Sequence, residues 1–171
     1  FKCFLPVAWR IGSERGVSAF IHPEGIYDDP NGSTLRRELY SRLRYHFQFQ
    51  NELKLFGDVH HETKFSLNIY GTRREDIGFF HIANLFVPST IDACFTADGG
   101  GALPGIKTDE NKWNTAGHRD RVVRVTGEEL ALFAALYDQP GTPADEARLP
   151  ALHGRPLVEV LRKFAKVPKR L

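Results

Sequence analysis

The segment between residues 16 and 71 restricts the fold more than any other part of the sequence. It begins with the short apolar run Val17–Ile21, which a histidine and a proline end. An apolar run of this length between turn residues predicts a strand buried on both faces. Two later stretches, Tyr45–Phe49 and Lys64–Tyr70, alternate between apolar and polar residues. Alternation is the period of a half-buried β-strand, so the segment predicts three strands.

A helix is predicted between the first two of these strands. Residues 28–32 read Asp-Asp-Pro-Asn-Gly, which are turn residues. Ser33 or Thr34 can then cap a helix by accepting a hydrogen bond from a free first-turn N–H. Leucines recur every four residues from Leu35 to Leu43 and predict one inward stripe. The remaining charged residues are expected on a solvated outer face rather than in contact with phosphate. They are Arg36, Arg37, Glu38, Arg42 and Arg44.

The same segment contains three spaced motifs in a fixed order. G-x-x-x-F-x-x-P begins at Gly16, L-R-x-x-L begins at Leu35, and L-F-x-x-V begins at Leu55. With the final strand Phe65–Tyr70, this order resembles the second half of the catalytic domain of adenine-specific DNA methyltransferases. The resemblance is to the large fused restriction-modification methylases of type IIG, and it covers residues 9–90.

The resemblance implies an α/β fold and a division of the chain into three parts. Residues 1–90 would form a partial Rossmann-like methyltransferase sheet with flanking helices, ending in an antiparallel strand pair. Residues 91–125 would form a long loop and a short strand at the start of a DNA-recognition region. Residues 126–171 would form a helical extension.

Two motifs of this family are absent from the 171 residues. The family binds S-adenosylmethionine through a Gly-rich strand-to-helix turn and performs its chemistry with an Asn-Pro-Pro-aromatic tetrapeptide. Gly99–Gly101 follows no predicted strand and opens no predicted helix, so it lacks the context of a nucleotide-binding loop. We therefore expect a fragment of a larger methylase, without catalytic residues, cofactor or activity of its own. Its missing partner would be the N-terminal half of the catalytic domain.

The resemblance also implies how the full-length enzyme acts on double-stranded DNA. It would transfer a methyl group from S-adenosylmethionine to N6 of adenine, after taking the base out of the stack to make the amine accessible. In the family an aromatic side chain in the turn before the last strand stacks on that base. The matching position is His60, with His61 and Phe56 nearby, and an imidazole is flat although smaller than a phenyl ring. The alternative is a structural turn that contains one hydrogen-bonded histidine.

The loop that follows the first predicted strand is a second candidate site. Ligands of open α/β sheets bind outside the carboxyl ends of the strands, so we expect this loop to line the active cleft. The alternative is a plain turn whose acidic residues are solvated and help to cap the helix. The candidate cleft residues are His22, Pro23, Glu24 and Tyr27.

Residues 97–117 form a long stretch rich in Gly, Pro, Asn and Asp. A loop of this length without helices or strands is usually functional or disordered. Because a DNA-recognition region follows the catalytic domain in the fused methylases, we expect the stretch to face the duplex. A mobile connector is the alternative. The candidate DNA-binding residues are Lys107, Lys112, Trp113, His118 and Arg119.

The rest of the chain predicts further helices and strands. Ile77–Val87 is expected to extend the sheet, and Arg119–Val125 is expected to be a short strand with a basic face. Thr126 and Glu129 have the spacing of a capping box at the start of a helix. The final helix is expected to have an apolar stripe and a basic tail. The stripe comprises Leu157, Val160, Leu161 and Phe164, and the tail comprises Lys163, Lys166, Lys169 and Arg170.

Composition limits the alternatives. The net charge is only +2, from 23 Lys and Arg against 21 Asp and Glu, so no global attraction to nucleic acid is expected. The chain has no run of about 18 apolar residues, so we expect no membrane span. Cys3 and Cys94 are expected to be reduced thiols in a cytoplasmic protein. Residues 1–11 are expected to be a core segment under the sheet, unless Trp9 belongs to the cofactor or DNA cleft.

Two other functions compete with the methylase fragment. The first is a nucleic-acid-binding module without chemistry of its own. The second is a metal-dependent hydrolase that uses Asp58, His60 and His61, with Glu62 beside them. Adjacent histidines on an extended chain point in opposite directions, and neither H-E-x-x-H nor a second ligand cluster accompanies them. We therefore predict no metal site.

Overall fold

The computed structural model describes residues 2–167 and contains one five-stranded sheet. The strands are β1 (Ser18–Pro23), β2 (Leu43–Gln50), β3 (Lys64–Tyr70), β4 (Gly78–Leu85) and β5 (Val123–Thr126). Their order in the sheet is β1-β3-β2-β4-β5. β2 and β4 are parallel, and the other neighbouring pairs are antiparallel.

Helices flank this sheet. The α-helices are α1 (Phe4–Ile11), α2 (Gly25–Asp28), α3 (Ser33–Tyr40), α4 (Ser89–Thr96), α5 (Gly127–Tyr137) and α6 (Arg155–Ala165). Short 3-10 turns lie at Pro30–Gly32, Asn51–Leu53, Arg119–Arg121 and Ala144–Glu146. None of the helices within residues 2–167 has the length and apolar character needed to cross a membrane.

The architecture confirms the predicted α/β class with flanking helices and a helical end. It also confirms the antiparallel strand pair, because Phe47 of β2 lies opposite Leu67 of β3. The predicted strand at Ile77–Val87 is confirmed as β4, which extends the sheet beside β2. The arrangement is compatible with the partial methyltransferase sheet that the sequence resemblance implies.

Each face of the sheet has its own core. On one face, side chains of α1, α3, α5 and α6 pack against Tyr70 and Phe79. On the other face, Phe47 and Ile82 pack with Cys94 of α4. Both cysteines are free thiols, Cys3 exposed and Cys94 buried.

The prediction that the first strand is buried on both faces is wrong. β1 is an edge strand, and its residues alternate between half-buried or buried and exposed positions. Phe20 and His22 point toward the helices, whereas Ile21 is exposed on the opposite face. Within the described residues no strand pairs with the outer edge of β1.

The prediction of half-buried strands with a solvated polar face is also wrong for β2 and β3. His46 and Gln48 of β2 are buried, as are Ser66 and Asn68 of β3. Helices cover this face of the sheet, so its polar side chains must satisfy one another. The alternation itself was predicted correctly, but the polar face lies inside the molecule.

Arg36 is a further correction, because it does not lie on a solvated face. Only 1% of its surface is exposed. Its guanidinium donates to the carbonyl oxygens of Ile26 at 3.0 Å, Asp29 at 2.7 Å and Glu146 at 2.9 Å. Leu43 also departs from the prediction, because it begins β2 instead of extending the stripe of α3.

Three helices were not predicted from the sequence, and one of them is the short α2, which lies in the predicted cleft loop. Residues 4–11 form α1, which buries Leu5 but exposes Phe4 and Ile11. Trp9 of α1 packs edge-on against Tyr70, with ring centroids 5.6 Å apart. The third is α4, which begins where the sequence predicts only the end of a strand.

The capping box of α5 is confirmed, and the predicted stripe of α6 is partly wrong. The Thr126 side chain accepts a hydrogen bond from the backbone N–H of Glu129, and the Glu129 carboxylate accepts one from the backbone N–H of Thr126. Of the predicted stripe only Leu161 packs inward, beside Val158, because the helix is rotated toward α5. Leu157, Val160 and Phe164 are exposed. Lys169 and Arg170 of the predicted tail lie outside the described residues.

Candidate functional site

The sheet brings two of the predicted sites to one of its ends. Pro23 lies opposite Phe65 at the end of β1, and Gln50 lies opposite Lys64 at the end of β2. The parallel pairing of β2 and β4 places Leu85 at the same end. The loop after β1, the loop of residues 51–63 and the chain after β4 therefore meet at the carboxyl edge. Ligands commonly bind at this edge in open α/β sheets.

The side chain of Asn51 organises the loop between β2 and β3. It is fully buried and donates from Nδ2 to the carbonyl oxygens of Phe56 at 2.9 Å and Val59 at 2.8 Å. Its Oδ1 accepts from the Phe56 backbone N–H at 3.0 Å. One amide side chain thus closes the loop from inside and fixes its backbone beyond the 3-10 turn of residues 51–53.

Flat and apolar side chains are displayed on the outside of this loop. Phe56 is 41% exposed and stands edge-on to Phe65, with ring centroids 5.0 Å apart. The rings of His60 and His61 are 4.6 Å apart, and both are exposed. His61 Nδ1 lies 3.2 Å from a carboxylate oxygen of Glu52. The three residues predicted for the target-base pocket therefore lie on one loop, which Asn51 fixes at the carboxyl edge.

No group of three or more His, Cys, Asp or Glu side chains is placed to hold a metal ion within residues 2–167. His60 Nδ1 instead accepts the Glu62 backbone N–H at 3.3 Å. The two histidines thus have hydrogen-bond partners within their own loop.

The cleft loop after β1 contributes a buried carboxylate. Glu24 is 5% exposed, and its two oxygens contact His46 Nε2 at 3.0 Å and Gln48 Nε2 at 2.9 Å. Burial alone raises the pKa of Glu24, but His46 and the hydrogen bonds from His46, Ser66 and Gln48 outweigh burial and lower the pKa to about 2. Glu24 is therefore a buried anion at neutral pH.

A chain of hydrogen bonds continues from this anion across the sheet. His46 Nδ1 lies 2.7 Å from Nδ1 of His81 on β4, and the two rings are stacked. The carboxylate of Glu24 can only accept, so His46 Nε2 carries a proton and one further proton lies between the two Nδ1 atoms. Burial, followed by the repulsion of His46, lowers the pKa of His81 to about 3, so His81 is neutral.

The other residues predicted for the cleft loop lie in regular structure, His22 in β1 and Tyr27 in α2, and they extend the network to β3. His22 Nε2 lies 3.1 Å from the Tyr70 hydroxyl. The Tyr27 hydroxyl donates to Asn68 Oδ1 at 2.5 Å, and the Tyr27 ring stands against His46. The sequence prediction named His22, Glu24 and Tyr27 but missed the strand residues that hold them. A histidine within the apolar run of residues 77–87 was the available signal for His81.

The network reaches the surface at a cavity of about 220 Å³. Glu24 and Gln48 form its inner wall, and Lys64 and Arg148 lie at its mouth. Gln48 Oε1 is buried and has no hydrogen-bond partner among the described residues. Glu24 accepts on both oxygens, and His81 is neutral. The arrangement therefore holds the cleft loop on the sheet.

Residues 97–117 contain no helix or strand, as predicted, but they are fastened to the domain. Arg121 is buried and donates to the carbonyl oxygens of Ala83 at 2.9 Å and Ala116 at 3.1 Å. Thr90 donates to the Thr115 carbonyl at 2.8 Å. Gly117 lies directly against Ala93 of α4, where a side chain would collide with the Ala93 backbone at 2.4 Å. The stretch is thus a packed loop.

The five residues predicted to bind DNA do not share one environment. Trp113 is packed on Phe86, with Lys107 over its ring at 3.2 Å. Lys112 pairs with Glu110 at 2.6 Å. Arg119 is exposed, whereas His118 is buried. Acidic residues at positions 109 and 110 offset the two lysines, so the tip of the loop carries no excess positive charge.

Comparison with known proteins gives only weak similarities. No model of a protein family matches the chain, and no curated protein matches it. One similar solved structure comes from work on complex assembly and conformational transition of the type I R-M system, with 14% identity and a TM-score of 0.45. Another is a modification subunit assigned to a type I restriction enzyme of Vibrio vulnificus YJ016, with the same identity and TM-score.

The chain spans 33% of the length of each of these two structures. The matches cover 90% and 92% of the chain itself.

Proposed function

We propose that this chain contains, in residues 1–90, the second half of the catalytic domain of an adenine-specific DNA methyltransferase from a restriction-modification system. One observation carries the proposal. The antiparallel β2–β3 pair presents a fixed loop with Phe56, His60 and His61 at the carboxyl edge, beside the loop that follows β1. This is the place where the sequence resemblance puts the residues that receive the target base.

The three motifs behind the resemblance have physical roles in the fold. Pro23 ends β1, and Arg36 of L-R-x-x-L ties α3 to the carbonyls of the cleft loop. In L-F-x-x-V, Phe56 and Val59 supply the carbonyls that Asn51 binds. The three motifs therefore lie in or beside the two loops that would face the substrate.

In this proposal the two halves of the catalytic domain divide the work. The N-terminal half would hold S-adenosylmethionine, which supplies the methyl group, and would polarise the adenine amine. Residues 1–90 would complete the sheet and stack the flipped base against the loop of His60. The unpaired edge of β1 is where the sheet of the N-terminal half would continue. Residues 91–125 would begin the DNA-recognition region, and residues 126–171 would form a helical extension.

The buried network gives the proposed base site its rigidity. Glu24 is bonded to β2 through His46 and Gln48, so movement of the cleft loop away from the sheet breaks both of these hydrogen bonds. Hydrogen bonds to a charged group contribute about 1.5–3 kcal/mol each, so the loop is pre-organised for the substrate. Pre-organisation of this kind reduces the entropy that must be lost when a base enters the site.

The proposal is tested by the coding sequence that precedes residue 1 and by the protein that it encodes. We expect a Gly-rich cofactor turn followed by Asn-Pro-Pro-aromatic. The longer protein should methylate adenine in duplex DNA. Replacing His60→Ala should lower kcat/KM for methylation by about tenfold, since base–aromatic stacking contributes about 1–3 kcal/mol. His60→Phe should keep or raise the activity.

Asp58→Asn is the matched control, because Asp58 lies on the same loop and is exposed. It should leave methylation unchanged. A different tetrapeptide upstream, or full activity in His60→Ala, would remove the proposed base site. In calorimetric titration, we expect the 171-residue chain alone to show no binding of S-adenosylmethionine. Micromolar binding would contradict the proposed division of labour.

A further inference from the structure

The cavity of about 220 Å³ beside the buried network is built from parts of the chain that are far apart in sequence. Its walls come from the cleft loop, the adjoining ends of β2 and β3, the end of α5 and residues 148–151. The polar side chains that line it are Glu24, Asp28, Gln48, Lys64, Tyr137 and Arg148. We ask which ligand these groups would bind.

Contacts within the protein fix the walls of this cavity. The Leu149 backbone N–H donates to the Tyr27 carbonyl at 3.2 Å and joins residues 148–151 to the cleft loop. Arg148 Nε donates to Asp138 Oδ1 at 2.7 Å, which ties the same segment to the end of α5. The cleft loop is in turn bonded to β2 through its buried carboxylate. The cavity is therefore already formed without a ligand, as most small-molecule sites are.

Gln48 leaves one hydrogen-bond acceptor unused in the wall of the cavity. Its Nε2 donates to the Glu24 carboxylate at 2.9 Å, and because a carboxylate can only accept, the amide orientation is fixed. Oε1 is buried and has no partner among the described residues. A buried acceptor without a donor is unfavourable, so a molecule in the cavity that supplies an N–H would be stabilised there.

Two charged side chains of the cavity are also unpaired. Asp28 and Lys64 are exposed, and within residues 2–167 neither side chain has a hydrogen-bond or ion-pair partner. Asp28 follows Glu24 by four residues in a helical turn, so both carboxylates lie on one wall. Arg148 adds a second cation, although Asp138 binds its Nε. A ligand with a single charge would leave one of the two kinds of group unpaired.

We propose that this cavity binds a small zwitterionic α-amino acid. The ammonium group of the ligand, with three N–H donors, would bind Gln48 Oε1 and the Asp28 carboxylate. The carboxylate of the ligand would bind Lys64 and Arg148. One water occupies about 30 Å³, so 220 Å³ admits on the order of seven non-hydrogen atoms, and an aliphatic side chain would pack on Leu149.

This site is separate from the proposed methylase function. The lining of the cavity includes no residue of the loop that carries the proposed base site, and the cavity is too small to enclose a nucleoside. Loss of amino-acid binding would therefore leave the proposed base site untouched.

The test titrates the 171-residue chain with three matched probes. They are L-valine, isobutylamine, which lacks the carboxylate, and isovalerate, which lacks the ammonium group. In amide NMR spectra, valine should shift the side-chain amide resonances of Gln48 saturably, with a dissociation constant of about 1 mM or lower. Each analogue should bind about tenfold more weakly, because a site that hydrogen-bonds a group rejects an analogue without it.

Two exposed residues give variants that separate the ends of the ligand. Asp28→Asn should weaken the binding of valine and isobutylamine by about threefold, as expected for one exposed ion pair, and should not weaken that of isovalerate. Lys64→Gln should weaken the binding of valine and isovalerate by about threefold and should not weaken that of isobutylamine. Lys163→Gln is the matched control, because Lys163 is an exposed lysine on α6 outside the cavity. It should change no affinity.

Several results would overturn the proposal. Binding of valine without a shift of the Gln48 resonances would place the amino acid elsewhere. Isobutylamine that binds as tightly as valine would assign the cavity to simple amines, and isovalerate that does so would assign it to carboxylates. Binding of none of the three probes would show that the cavity holds only water.

Discussion

At the scale of single residues, a few buried polar side chains determine the form of the candidate site. Arg36 and Glu24 each bind groups from distant parts of the chain, and Asn51 binds the backbone of its own loop. Each of these side chains supplies hydrogen bonds to backbone or side-chain groups that water cannot reach. Because an unpaired buried polar group costs about 1–3 kcal/mol, such residues tolerate substitution poorly.

Asn51→Ala should lower the free energy of unfolding by about 2 kcal/mol, because the carbonyls of Phe56 and Val59 lose their donor. Amide hydrogen exchange should accelerate in residues 52–62, while exchange in β2 and β3 stays slow. Urea denaturation and exchange measured by mass spectrometry check the two parts. Unchanged exchange in the loop would show that Asn51 does not hold it.

Arg36→Lys should be destabilising although it keeps the charge. The guanidinium bonds three carbonyls at once, and a lysine ammonium on a flexible stem cannot reproduce this planar fork. We expect a loss of about 1–3 kcal/mol in urea denaturation. Arg37→Lys, on the exposed side of the same helix, should have an effect near zero. Equal effects of the two substitutions would contradict the role given to Arg36.

At the scale of helices and strands, sequence periodicity predicted where most of them lie but not which face is inside. Alternation located β2 and β3, and the capping box located α5. The polar face of β2 was expected to meet solvent, because a local pattern does not show that His46 finds Glu24 and His81 in distant strands. The face that α6 turns toward α5 likewise depends on Arg162 and Glu129, which are 33 residues apart. Of the candidate site, the sequence supplied the loop residues and missed the strand residues that hold them.

At the scale of the whole molecule, the buried network makes stability depend on pH. The pKa of His81 is lowered from 6.5 to about 3, and that of Glu24 is lowered from 4.5 to about 2. At a pH between the unfolded and the folded pKa of either group, the unfolded chain binds more protons than the folded one. Stability therefore falls as the pH falls through each of these two ranges. His22 and His153 have lowered pKa values and act in the same direction.

We therefore expect the urea midpoint to decrease steadily below pH 6.5, with a further decrease below pH 4.5. His81→Gln should be less stable at pH 7, but its midpoint should vary less with pH between 6.5 and 4.5, since glutamine does not titrate. Urea denaturation at unit intervals of pH measures both effects. A midpoint that is constant from pH 7 to pH 5 would contradict the assignment of a neutral, buried His81.

The outer rim of β1 has a consequence for handling the isolated protein. Within the described residues its main-chain amides and carbonyls are unsatisfied by any neighbouring strand, and Ser18–Pro23 includes no lysine, arginine, aspartate or glutamate. In natural proteins, charged side chains normally prevent such a strand from pairing with another molecule. Here only the terminal proline would interrupt such pairing. Concentrated solutions will therefore tend toward ordered aggregates that grow by strand addition, and dilution will protect the protein better than a change of salt.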